Sequence, residues 1–340
     1  MVERFTPVSL ASPRKIYTEL DRYVIGQEEA KRAIAVAAYN HLKRVHAGPD
    51  TLLRKSNMLL IGPTGCGKTH LARQLARVLD VPITIVNATE YTEAGYYGKD
   101  VEVMIAELLF KTGGDVQAAE RGIIFVDEID KAARRSHGAR TGAGARDIGG
   151  EGVQQAILKL LEANRLFVPL NVTQHWNKHD FVPIDVSNIL FICAGTFSDL
   201  GRGRHKNDIG FLGKDAEGKQ NRVTTRELEE YGMIAELLGR LPVVVELQEL
   251  NDEEMGRILT DPPDSIWKEM VELFKPEQIK LRLTNDGRRA IVAETRRRKL
   301  GARGLRGILE EILADLSFEA PENIGRQVVI NAQYIRDHLR

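Results

Sequence analysis

Met58-Leu59-Leu60-Ile61-Gly62-Pro63-Thr64-Gly65-Cys66-Gly67-Lys68-Thr69 decides how this chain is read. Four apolar residues, preceded by the polar stretch 48–56, spell a short buried strand. Gly62 to Thr69 then matches G-x-x-x-x-G-K-[ST], and the pattern that follows predicts a helix over Lys68 to Leu79. Strand, glycine loop and helix in this order make a phosphate cradle. Glycines let backbone N–H groups curl around an anion, and the helix N-terminus adds positive potential. Lys68 is placed to reach the β- and γ-phosphates of ATP, and the Thr69 hydroxyl to ligate Mg2+. The expected nucleotide contacts are Gly62, Pro63, Thr64, Gly65, Cys66, Gly67, Lys68, Thr69 and the adjoining His70. Cys66 beside a helix N-terminus is open to a redox reading, and to the plainer one of a small residue in a tight loop.

Working outward, Ile123-Ile124-Phe125-Val126 is a second buried strand, and it delivers Asp127 and Glu128 at its C-terminal end. Ligands of open α/β sheets bind at that end. Asp127 is the candidate for the magnesium shell, and Glu128 for orienting and polarising the attacking water. Ile83–Val86 and Ile189–Cys193 read as further strands, with helices near Val101–Leu109 and Val153–Leu161. Continuous apolar strands alternating with helices predict an α/β fold, a parallel sheet covered on both faces. The first ordered element is expected to be a helix over Glu28–His46. Two polar, glycine-rich segments, 137–152 and 201–223, have no apolar period and read as loops. After Val245 the composition changes. Asn251 and Glu254 form a capping-box pattern, and helices near 265–274, 286–298 and 305–318 are followed by one strand, 328–330, and a last helix.

The chain has 340 residues, with 48 Lys and Arg against 48 Asp and Glu. Its length suits about two domains. A zero balance argues against nucleic acid or anionic lipid as the main partner, because such proteins need excess cation to displace counterions. The run Arg296–Lys299 is either a local basic patch or a solvated helix face. The two cysteines, Cys66 and Cys193, lie far apart with no second Cys at ligand spacing, which fits a reducing, cytoplasmic setting. No run is long and apolar enough for a membrane span, and the N-terminus lacks the apolar region of a signal peptide.

Further motifs in fixed order carry a family resemblance. Tyr23-Val24-Ile25-Gly26-Gln27, Thr92-Glu93-Ala94-Gly95-Tyr96-Tyr97-Gly98, Gly150-Glu151-Gly152-Val153-Gln154-Gln155, Gly239-Arg240-Leu241-Pro242 and Gly301-Ala302-Arg303-Gly304-Leu305-Arg306 join the two motifs above. Together they resemble the AAA+ motors of the Clp/Hsp100 family, the ClpX branch in particular, from about Ile16 to the C-terminus. The resemblance implies a tail over 1–15, an AAA+ P-loop NTPase large α/β domain over 16–246, and a small, mainly helical C-terminal domain over 247–340. It implies that Val24 and Ile25 pack on adenine and that Tyr96 and Tyr97 line a pore loop. It makes Arg240 the arginine finger given to the next subunit and Arg303 the small-domain contact to nucleotide. Aromatic rings can grip an unfolded chain by non-specific packing, and a finger acting in trans requires an oligomer.

The family implies a homo-hexamer that hydrolyses ATP and threads unfolded or tagged proteins through its pore. Ile209-Gly210-Phe211 resembles the loop that docks such motors on a ClpP-type peptidase, and an apolar tripeptide in a polar loop calls for a partner. Some features depart from the pattern. Tyr97 stands where Val is usual, Asn177 where the pore entrance carries Arg, and the about fifteen residues ahead of the motor carry no Cys, where the family is expected to have a four-Cys zinc domain. Thr196 is the nearest polar residue for a sensor at the end of its strand, and reads equally as a turn residue. Two other readings are stand-alone ATP-driven remodelling without a peptidase, and an ATP-binding assembly scaffold. The full set Lys68, Asp127, Glu128, Arg240 and Arg303 argues against the scaffold.

Overall fold

The computed structural model describes residues 12–48, 51–91, 100–133, 148–169, 181–198, 200 and 223–339. Tyr96, Tyr97, Asn177, Ile209, Gly210 and Phe211 lie outside the described residues. The chain divides into two compact units. One comprises Met1–Tyr17, Glu29–Pro63 and Lys68–Leu247; the other comprises Thr18–Glu28, Thr64–Gly67 and Gln248–Arg340.

The chain enters through two helices, α1 (Pro13–Asp21) and α2 (Glu28–Ala47). The sequence reading, which began at Glu28, omitted α1. Its start carries a recognisable signal. The Ser12 hydroxyl accepts the Lys15 N–H (3.2 Å), and Pro13 takes the first helical position, where its missing N–H costs nothing. In α2, Ala30, Ile34 and Ala38 are buried along one face as the helical period requires.

The first unit is built on β1 (Met58–Ile61), α3 (Lys68–Leu79), β2 (Ile83–Asn87), α4 (Val103–Lys111), α5 (Val116–Ala119), β3 (Ile123–Asp127), α6 (Ile148–Glu162), β4 (Arg165–Pro169), β5 (Phe181–Asp185), β6 (Leu190–Gly195), α7 (Thr225–Tyr231), α8 (Ala235–Arg240) and β7 (Val243–Glu246). Five strands form one parallel sheet in the order β2-β3-β6-β1-β7. The inner strands β1 and β6 are buried at every residue, whereas the edge strand β2 alternates half-buried and buried. That is the pattern of a sheet covered on both faces and thinning at its edges. Leu59, Ile124, Val126 and Phe191 sit in the core cluster that α4 and α6 also enter through Leu108 and Ile157. Each such side chain contributes about 1.5–3 kcal/mol of transfer free energy.

Three local readings shift. The helix expected from Val153 begins at Ile148, so part of the segment read as a loop is helical. The strand expected at Ile189 starts one residue later and runs to Gly195. β4 and β5 form a separate antiparallel pair that the sequence reading did not contain.

The second unit holds α9 (Asp252–Thr260), α10 (Ile266–Leu273), β8 (Lys280–Leu283), α11 (Asn285–Arg297), α12 (Gly304–Phe318), β9 (Gln327–Ile330) and α13 (Ala332–His338). Its core gathers Leu259, Phe274, Ile291, Leu309 and Ile312. The capping box forms as the sequence predicts: Asn251 Oδ1 accepts the Glu254 N–H and Glu254 Oε2 accepts the Asn251 N–H, each at 2.8 Å. The single strand expected at 328–330 has a parallel partner, β8. The basic run at the end of α11 is no free patch: Arg296 pairs with Glu249 and Asp252, and Arg298 with Glu294 and Glu311. Among the described residues no helix is long and apolar enough to cross a membrane.

Candidate active site

β1 ends at Ile61, α3 begins at Lys68, and the glycine loop joins them. Gly65 and Gly67 have φ of +80° and +101°, a backbone that L side chains rarely adopt. A Cβ at Gly67 would meet no atom within 4 Å, so conformation and not crowding demands glycine there. The turn leaves open space beside the loop.

In the first unit, the Lys68 side chain is buried and bends back over the loop. Its Nζ donates to the Gly62 carbonyl (2.6 Å) and the Pro63 carbonyl (3.0 Å). The Thr69 hydroxyl donates to Asp127 Oδ2 at 3.1 Å, and Asp127 Oδ1 accepts the Glu128 N–H at 3.0 Å. The two motifs, 58 residues apart in sequence, thus meet at the C-terminal ends of β1 and β3. Glu128 adopts a left-handed backbone, φ +58° and ψ +34°, at the head of the 3-10 turn Ile129–Ala132. For a residue with a Cβ this costs of order 1 kcal/mol and persists only where the surroundings impose it.

Asn87, the last residue of β2, is opposite Asp127 in register and donates its side-chain amide to Glu128 Oε2 at 3.1 Å. Sequence reasoning missed it, because Asn at a strand end reads as an ordinary turn former. Thr196, the sensor candidate, donates to Asp130 Oδ2 at 2.8 Å, and the Phe197 N–H reaches the same oxygen at 3.3 Å. Asp130 is buried, and its Oδ1 has no partner among the described residues. Thr196 is thereby joined to the turn after Glu128.

Arg240 is exposed at the end of α8, where Nε and Nη2 donate to Glu162 Oε1 at 3.0 and 2.6 Å. It bonds to none of the carboxylates at the glycine loop. His70 is exposed on the first turn of α3.

In the second unit, Thr64–Gly67 lies against Gly301 and Ala302: a Cβ on Gly65 would come 3.1 Å from the Gly301 Cα. Arg303 follows, exposed and without a hydrogen-bond or ion-pair partner among the described residues. Val24 and Ile25 are buried, and the next two residues, Gly26 and Gln27, both take positive φ. The Gln27 side chain is buried; its Nε2 donates to the Gln248 carbonyl (2.8 Å) and the Cys66 carbonyl (3.3 Å). Cys66 is buried, as is Cys193, whose thiol burial pushes up to about 12. The plainer reading of Cys66 is the one its burial supports.

The donor set suits a nucleotide with a hard cation. A hydroxyl and a carboxylate stand side by side, and a buried ammonium lies over the Gly62 and Pro63 carbonyls. Residues 53–244 match the model of the AAA domain (Cdc48 subfamily). The chain is 44% identical over 314 residues to the ATP-dependent Clp protease ATP-binding subunit ClpX 2 of Wolinella succinogenes, an alignment covering 92% of this chain and 78% of that one. It is 41% identical over 342 residues to the ATP-dependent Clp protease ATP-binding subunit ClpX of Treponema denticola, covering 96% of this chain and 82% of the relative.

Proposed function

The chain belongs to the ClpX family of AAA ATPases, and from that premise we propose how its residues divide the work of an ATP-dependent unfoldase. The protein binds and hydrolyses ATP, and drives the unfolding and translocation of polypeptide. The backbone N–H groups of Gly65, Cys66 and Gly67 and the Lys68 ammonium hold the β- and γ-phosphates. Thr69 and Asp127 hold magnesium, which when bound screens phosphate charge. Glu128 orients the attacking water and takes its proton, with its carboxylate aimed by Asn87. Val24 and Ile25 form the apolar seat for the adenine, and Arg303 is a further cationic contact to the nucleotide.

Arg240 acts on the nucleotide of an adjoining subunit in a homo-hexamer, where its charge meets the transferring phosphoryl group. Its exposure and its lack of any bond to the chain's own hydrolytic carboxylates support this reading. Tyr96 and Tyr97 grip the threaded chain, and Ile209-Gly210-Phe211 docks a ClpP-type peptidase. The names of the relatives, subunits of a Clp protease, favour that partnership over stand-alone remodelling or a scaffold. A cytoplasmic location is proposed on the same ground, together with two buried cysteines that form no disulfide.

One observation carries the hydrolytic assignment: Thr69, Asp127 and Glu128 meet at the C-terminal ends of the inner strands, and only neutral donors bond to the two carboxylates among the described residues. Glu128→Gln is expected to bind ATP normally and to lower turnover about a thousand-fold, within the usual span for a general base. Unchanged phosphate release would remove Glu128 from this role. Capture of a ClpP-type peptidase by the wild type, and its loss in Phe211→Ala, checks the docking loop.

A further inference from the structure

Gln154 is fully buried on α6, and its amide bonds to two remote stretches of chain. Nε2 donates to the Ala132 carbonyl at 2.7 Å and to the Gly232 carbonyl at 3.1 Å. Oε1 accepts the Ile234 N–H at 2.9 Å. Both amide protons and the carbonyl oxygen are therefore used.

The partners are the informative part. Ala132 ends the 3-10 turn that starts directly after Glu128. Gly232 caps α7 and Ile234 leads into α8, whose last residue is Arg240. One side chain thus ties the segment leaving the hydrolytic carboxylates to the helix that carries the arginine. Two more contacts tighten the arrangement. Gly150, one turn before Gln154 on α6, lies over the same Ala132 carbonyl, so close that a Cβ would stand 2.9 Å from its oxygen. Glu162, the last residue of α6, accepts the Arg240 guanidinium. α6 therefore holds α8 at both ends and the post-Glu128 turn at one. The left-handed backbone of Glu128 needs such a hold on its flank. Removing the amide would orphan two buried carbonyls and one N–H at once.

We propose that Gln154 is a positioning residue for ATP hydrolysis, coupling the placement of Glu128 in one subunit to the Arg240 that the same subunit offers its neighbour. The proposal rests on the role given to Arg240 above. A shift of α6 would move both catalytic groups together, so a subunit with a displaced base would also present a displaced arginine. This differs from a bond that merely holds the fold, because it links two groups that act on different nucleotides.

The test uses the full-length assembly, with Gln154→Met, Arg240→Ala and the double variant compared for ATP turnover. Gln154→Met is expected to lower kcat about ten-fold, leave KM for ATP within about two-fold, and lower Tm while the assembly still forms at the assay temperature. The double variant is expected to be no slower than Arg240→Ala alone, since both changes remove one coupled function. Wild-type kcat in Gln154→Met beside a slow Arg240→Ala would overturn the coupling and spare the Arg240 reading. Full turnover in Arg240→Ala would overturn both. Additive effects in the double variant, or a kcat that returns to the wild-type value once turnover is expressed per folded, assembled protein, would reduce Gln154 to a structural role. Should Gln154→Met fail to assemble, Gln154→Glu decides the matter. Burial favours the neutral carboxyl as pH falls, and that form donates one of the lost hydrogen bonds. Its turnover relative to wild type should rise several-fold from about pH 9 to about pH 6.5; a flat ratio overturns the proposal.

Discussion

The inward-turned cations of the first unit and the arginine network of the second are satisfied differently. In the first, inward-turned cations bond to backbone carbonyls: Lys68 to Gly62 and Pro63, Lys55 to Val186 at 2.8 Å, and Arg44 to Ser187 at 2.8 Å. In the second, arginines bond to carboxylates: Arg296 to Glu249 and Asp252, Arg298 to Glu294 and Glu311, Arg306 to Glu269. The consequence lies with the carboxylates. Those of the second unit are neutralised by neighbours. Among the described residues Asp127 and Glu128 receive only a hydroxyl, an amide and a backbone N–H, so no cation offsets their charge there, as the roles proposed for them require. The first unit carries a cost for this arrangement. Burial, then Arg44, push Lys55 down to about 8, and burial, then Arg44 and Lys55, push His41 down to about 4.

The hardest way to break the comparison is to give the active site the second unit's chemistry. Asn87→Lys would place an ammonium on Glu128 and is expected to cut ATP turnover about a thousand-fold, as losing a general base does, with the fold intact by circular dichroism. Near-normal turnover would show that a neutral partner is not needed.

Acid should separate the units next. His41 in the fold holds its proton less tightly than in the unfolded chain, so the unfolded state binds more protons between about pH 6.5 and 4. The first unit should lose stability as pH falls through that window, on the order of 3 kcal/mol. Lys55 works in the same direction at higher pH, its contribution improving as pH climbs from about 8 to 10.5. Glu294, drawn down to about 2 by Arg297 and Arg298, protects the second unit until pH falls from about 4.5 toward 2. Segment-resolved hydrogen exchange at pH 7, 5 and 3.5 reads the order of loss. Exchange that rises first in α11 and α12 would reverse it.

The smallest effect sharpens the other side. Glu311→Gln removes one arm of the Arg298 network, and is expected to cost less than about 1 kcal/mol at neutral pH, because solvent still reaches both side chains and screens the pair. A larger loss in chemical denaturation would mean that the network, and not the core around Leu309 and Ile312, holds this unit together.

What the sequence made legible follows from range. β1, the glycine loop and α3 are local patterns, and each appears where its residues predict. So does the Asn251–Glu254 cap, whose partners are three residues apart. The central strands were legible because burial on both faces writes a continuous apolar run. β8 escaped because Lys280-Leu281-Arg282-Leu283 alternates over four residues only, and needs β9 to make it a strand. Asn87, Asp130 and Gln154 were invisible as site residues for a different reason. Their partners lie 41, 66 and 80 residues away, and no local period records a contact at that distance.

The burial of both thiols has a practical consequence. Cys66 and Cys193 are the chain's only cysteines, and neither offers a maleimide a reachable sulfur. A cysteine introduced for Arg226 on α7 and another for Lys275 after α10, both highly exposed and one in each compact unit, would then be the only sites to take a dye. Fluorescence transfer between the two labels could follow, in an otherwise native background, whether the units change their separation during each round of ATP turnover.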